Sequence, residues 1–134
     1  MKNVKGFTLI ELMIAVVILG ILAAYAFQSY QSSVRKSNRA EGKAEIMDVA
    51  QRLQRCFTTY GRYDHDDCAV AAQLSAEDGK ITSQGRGFYD VTGVLGTTTY
   101  TLTATAVSLP QTADAGCTAL TLNQLGARAP AECW

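Results

Sequence analysis

The chain has 134 residues, and 12 Lys and Arg balance 12 Asp and Glu, so its formal net charge is zero. That balance argues against a polyanion-binding protein on composition alone. The length allows one small soluble core beside one membrane segment, and a single histidine with four widely spaced cysteines matches no usual zinc pattern, so no metal or cofactor is expected.

Residues 1–6 carry Lys2 and Lys5 and end in Gly6. They read as a short basic leader that takes no part in the fold. Residues 7–27 follow with only Thr8 and Glu11 polar. As a helix this stretch spans about 30 Å, the thickness of a hydrocarbon layer. It is apolar all round, so it must sit in lipid or inside a protein assembly. Glu11 is the costly exception, and a carboxylate there needs a partner. The nearest one is the amine that a cut between Gly6 and Phe7 would expose. The plainer reading is a single-pass anchor that tolerates a polar side chain near the interface. With Lys2 and Lys5 on the cytoplasmic side, the rest of the chain lies across the inner membrane.

No proline interrupts residues 28–59, and the only glycine there is Gly42. Ile46, Ala50, Leu53, Phe57 and Tyr60 recur at helical spacing. Arg35, Arg39, Glu41, Lys43, Glu45 and Arg52 are expected on solvated faces. One helix of roughly fifty residues is therefore predicted, oily everywhere over 7–28 and amphipathic over 29–60. Residues 61–134 change character. Residues 61–86 read as a connecting loop, with a short helical turn at 68–72. Strands are predicted at 87–91, 98–106 and 118–122, with Gly93 and Gly96 marking the first turn and Pro110 and Gly116 bracketing the loop before the last strand. The expected class is α+β: a long N-terminal helix packed on a small antiparallel sheet of three to four strands.

Cys56, Cys68, Cys117 and Cys133 all follow the membrane segment. Four cysteines allow three pairings, and the bonds expected in an oxidising compartment are the local ones, Cys56–Cys68 and Cys117–Cys133. Asp64, Asp66 and Asp67 offer calcium-type oxygen ligands without EF-hand spacing, so a solvated loop is favoured. Arg62, Lys80, Arg86 and Arg128 are scattered, and would touch nucleic acid only if the fold gathered them. Phe88 and Tyr100 are assigned to the core, and Trp134 is the aromatic expected nearest the surface. No nucleophile–base set is present, so no enzyme is expected.

Gly6-Phe7-Thr8-Leu9-Ile10-Glu11, with its basic leader and apolar run, resembles the type IV prepilin signal. Ser37-Asn38-Arg39-Ala40-Glu41-Gly42, Tyr100-Thr101-Leu102-Thr103-Ala104 and Cys117 through Thr121-Leu122-Asn123-Gln124-Leu125-Gly126 to Cys133-Trp134 resemble the PilE-type minor pilins of gamma- and betaproteobacteria. The resemblance implies the type IV pilin fold, cleavage after Gly6, N-methylation of Phe7, an assembly role for Glu11, and a terminal segment bounded by Cys117 and Cys133. It implies as partners other pilins, a prepilin peptidase/N-methyltransferase and the inner-membrane assembly machinery. The implied function is a structural pilus subunit supporting adhesion, twitching motility or DNA uptake. A DNA-binding uptake pilin and a type II secretion pseudopilin are the alternatives. Many pilins carry a proline where this chain has Gln28, so a kink there is not implied, and Gly20 remains a soft point.

Overall fold

The computed structural model describes residues 7–134. Helix α1 runs Leu9–Tyr60, a length that the absence of internal proline permits. Thr8 begins it: the Thr8 hydroxyl accepts the Glu11 N–H at 3.3 Å, and the Thr8 carbonyl accepts Leu12 N–H at 3.2 Å. The chain divides into two compact units, residues up to Val34 and Arg35–Trp134.

In the first unit every large apolar side chain from Phe7 to Phe27 is more than half exposed, from 52% at Ile18 to 83% at Phe7. Gly20 and Gln28 both lie within α1.

In the second unit, the head, α1 buries Gly42, Glu45, Ile46, Val49, Ala50 and Leu53. That spacing is one face of a helix. It meets a five-stranded antiparallel sheet in the order β1-β2-β3-β4-β5. The strands are β1 Ile81–Thr82, β2 Tyr89–Leu95, β3 Tyr100–Ala106, β4 Ala119–Asn123 and β5 Arg128–Ala129. Tyr89 pairs with Ala106 and Leu95 with Tyr100 across the first long hairpin, and Thr101 to Thr105 pair with Asn123 to Ala119 across the next. This register points Tyr89, Val91, Tyr100, Leu102, Ala104, Leu120 and Leu122 into the core and leaves Thr101 and Thr105 exposed. Period-two alternation of this kind is what a sheet with one covered face requires.

Several sequence expectations change here. The sheet has five strands rather than three to four, because β1 and β5 are two residues each and too short to display a period. Within 61–86 the expected helical turn is present and longer, as α2, Ala69–Ser75, which buries Val70, Ala71 and Leu74, and β1 is unexpected. Gly93 is not in a turn but inside β2, opposite Leu102. A Cβ there would lie 3.0 Å from the Leu102 side chain and 3.1 Å from that of Leu74, so the glycine serves packing. The turn is Gly96–Thr99, closed by Gly96 N–H donating to the Thr99 carbonyl at 2.8 Å. The apolar stripe of α1 ends sooner than its period suggests. Tyr60 is 40% exposed and stacks on His65 at 4.2 Å, while Val49, outside the predicted set, is fully buried.

Candidate functional site

Phe7 lies just before α1, and Glu11 sits in its first turn. Leader residues 1–6, with the predicted cut after Gly6, lie outside the described residues. Thr8-x-x-Glu11 has the spacing of a capping box, with the threonine hydroxyl bonded to the amide three residues on. Glu11 also sits in the first turn, where the helix dipole favours a negative charge. This local role was legible in the sequence but was not part of its reading. It helps explain why a carboxylate is tolerated beside so many aliphatic side chains.

Arg52 is solvated as expected, 40% exposed beside Asp48, but Arg35, Arg39, Glu41 and Glu45 are engaged by the head, contrary to the sequence expectation. Arg39 grips Asp114, its Nε 2.5 Å from Oδ2 and its Nη2 2.8 Å from Oδ1. Arg35 Nε lies 3.9 Å from the same carboxylate. The Asp114 side chain is only 7% exposed and that of Arg39 13%. Hydrogen bonding from Arg39 holds the Asp114 carboxyl below its ordinary value, and Asp114 in turn raises that of Arg39. Gln111, fully buried, donates from Nε2 to the Arg35 carbonyl at 3.2 Å and to the Tyr89 hydroxyl at 2.8 Å. The loop before β4 is thereby tied to the helix at both Gln111 and Asp114.

A second tie joins α1 to the loop between β1 and β2. Glu41 Oε1 accepts the Ser83 hydroxyl at 2.5 Å and Phe88 N–H at 3.0 Å, and Oε2 accepts Arg86 N–H at 3.3 Å. Glu45, 4% exposed, accepts Gln84 N–H at 2.9 Å. Burial opposes the Glu41 charge, yet hydrogen bonds from Ser83 and the Phe88, Arg86 and Gly87 backbone outweigh it and lower its pKa. Periodicity could not reveal these ties, because the partners lie some forty or more residues away on segments that have no period.

The cysteines form Cys56–Cys68, which fastens the end of α1 to the start of α2, and Cys117–Cys133, which encloses β4 and β5. Their Cα atoms are 5.7 and 5.6 Å apart. Phe88 and Tyr100 are buried. Trp134 packs partly against the core and donates from Nε1 to the Ala129 carbonyl at 3.2 Å.

The four scattered cations do not converge. Arg62 pairs with Asp64 at 2.7 Å and Lys80 with Asp90 at 3.0 Å. Arg86 lies 5.8 Å from the Phe88 ring centre, and Arg128 lies 5.0 Å from that of Trp134. Lys80 precedes β1, and Arg128 is in β5, at the opposite edge of the sheet. Four inter-strand spacings put those edges roughly 19 Å apart. Asp64 is engaged by Arg62, and among the described residues no group of three His, Cys, Asp or Glu is placed to hold a metal ion.

Residues 28–121 match the family described as type IV minor pilin ComP, DNA uptake sequence receptor. Residues 1–27 match the prokaryotic N-terminal methylation motif. A type IV major fimbrial protein FimA of Dichelobacter nodosus is 32% identical over 93 residues, covering 69% of this chain and 53% of that protein. A fimbrial protein of the same organism is 60% identical over 38 residues, 28% of this chain and 24% of that protein. The matches thus span about half of these relatives' length or less.

Proposed function

The chain belongs to the type IV minor pilin family described as ComP, and from that premise we propose that it is a structural subunit of a type IV pilus that takes part in filament assembly. It is made as a single-pass inner-membrane precursor with residues 1–6 as leader. A prepilin peptidase/N-methyltransferase cuts after Gly6 and methylates Phe7. The head, residues 61–134 with the amphipathic half of the helix, faces the periplasm, and the assembly machinery then passes the subunit into a filament of pilins. No catalytic role belongs to it.

One observation carries this reading: the apolar helix face from Phe7 to Phe27 is exposed throughout, and a methylation motif covers the same residues. Water is a poor solvent for so much apolar surface. The helix is stable in lipid, and it can leave lipid only when neighbouring helices replace it. Glu11 then sets register by meeting the new amine of Phe7 on a neighbour, since paired charges offset each other's desolvation better than either does alone. By this route the protein supports adhesion, twitching motility or DNA uptake.

Glu11→Gln separates pairing from capping. Glutamine keeps the capping-box geometry and removes only the charge. The expected result is at least a roughly tenfold drop of the chain in sheared filaments, the equivalent of about 1.4 kcal/mol, with an unchanged amount of processed protein in the membrane. Filament levels equal to the unsubstituted chain would remove Glu11 pairing from the mechanism.

The family description favours a second reading, in which the head touches DNA. Arg128, stacked on Trp134 and exposed, is the cation best presented for a phosphate. The full chain in detergent should retard duplex DNA at low salt, weakly and with a shallow salt dependence, because Arg62 and Lys80 are engaged by carboxylates and the scattered cations do not converge. Arg128→Ala should lessen the retardation. No binding at low ionic strength would end this reading and leave the structural one intact.

A further inference from the structure

Tyr25, Phe27 and Tyr30 are 80%, 64% and 68% exposed. Between Ala23 and Ser33 they are the only large side chains; Ala23, Ala24, Ala26, Gln28, Ser29, Gln31, Ser32 and Ser33 are small or polar. At about 100° per residue, Tyr30 lies about 140° and Phe27 about 200° around the helix from Tyr25. Phe27 and Tyr30, three residues apart, share one side of the helix and Tyr25 stands on the opposite side, so no single packing face gathers all three.

Their height is equally specific. Tyr25 is about 27 Å and Tyr30 about 35 Å along the helix from Phe7, on either side of the roughly 30 Å hydrocarbon limit. Aliphatic residues fill the stretch before them, and uncharged polar residues follow. Tyrosine suits that boundary because its ring is apolar and its hydroxyl needs a wet partner.

We propose that Tyr25, Phe27 and Tyr30 form an aromatic belt that docks on the lipid headgroup boundary and fixes the depth of the helix in the bilayer. The proposal rests on the reading that this helix crosses a membrane. The belt also has a consequence for Glu11, which lies about 21 Å below Tyr25 and so within about 9 Å of the opposite boundary. Holding the helix at this height keeps the carboxylate shallow, where a charge costs less than at the bilayer centre. The belt thereby sets the level at which Glu11 waits before assembly.

The test uses the full chain carrying Trp134→Phe, reconstituted in phosphatidylcholine vesicles with bromine placed either near the headgroup or near the acyl chain end. A Tyr25→Trp reporter should be quenched more by shallow bromine, and an Ile18→Trp reporter more by deep bromine. Adding Tyr25→Leu, Phe27→Leu and Tyr30→Leu to the Ile18→Trp chain should narrow its preference for deep bromine, because the helix is then free to slide. Two results would overturn the belt while leaving a membrane helix in place: deeper quenching at Tyr25→Trp than at Ile18→Trp, or an Ile18→Trp profile unmoved by the leucine substitutions. An Ile18→Trp reporter quenched by neither lipid would remove the membrane reading as well.

Discussion

Asp114→Ala is expected to destabilise the head by about 3 kcal/mol at pH 7, the lower end of the range for breaking a buried ion pair. The substitution strands Arg39, whose side chain is 13% exposed, and removes the carboxylate that Arg35 and Arg39 share. It also loosens the loop before β4 from α1, leaving the Gln111 tie to the Arg35 carbonyl. For a head of about 100 residues the melting midpoint should fall by more than about 10 °C. The full chain in detergent, followed by near-ultraviolet circular dichroism, reports this directly. The pH dependence identifies the cause. Arg39 depresses the Asp114 carboxyl, so the pair's contribution is complete above the ordinary aspartate value of about 3.9 and is lost as pH falls through the lower folded value. The unsubstituted chain should therefore lose more stability than Asp114→Ala on acidification, and the gap between them should close below about pH 4. A gap that stays constant down to pH 2 would assign the effect to something other than the charge.

Gly42→Val is the second large effect. A Cβ at position 42 would lie 2.8 to 3.0 Å from three carbons of the Tyr89 ring. Tyr89 has little room to retreat: it is fully buried, and its hydroxyl is held by Gln111 at 2.8 Å. Alanine at this site should cost about 1–2 kcal/mol net, since roughly 1 kcal/mol of helix propensity offsets part of the overpacking. Valine adds two more carbons and keeps less of that offset, so about 3 kcal/mol or more is expected. The order of thermal midpoints should be Gly, then Ala, then Val. A valine variant within about 0.5 kcal/mol of the unsubstituted chain would mean that α1 and β2 can separate at little cost, against the close packing inferred here.

The two ties of α1 to distant loops also bear on how assembly mutations should be judged. Substitutions at Arg39, Glu41, Glu45 or Asp114 act on folding of the head, so a loss of filaments in such variants carries no information about subunit contacts unless the amount of folded precursor is measured beside it. Glu11 and the aromatic belt lie in the other unit and escape this confusion.

The long helix, the covered sheet and the apolar helix face were legible because each is periodic or continuous over many residues. An apolar run from Phe7 to Phe27 has one physical meaning whatever the rest of the chain does, and the alternation from Tyr100 to Ala106 requires a sheet with one wet side. Motif and apolar run together also placed the chain among type IV pilins. What the sequence left open was the role of isolated residues. Arg39, Glu41 and Glu45 look like ordinary helix charges until Asp114, Ser83 and Gln84 are brought against them, and Gly42 looks like a flaw in a helix until Tyr89 stands over it. Two-residue strands at the sheet edges and the separation of Lys80 from Arg128 also came only with the fold. Periodicity is written along the chain and can be read there. Pairings across some forty to eighty residues depend on where packing delivers the partners, and only the assembled core fixes that.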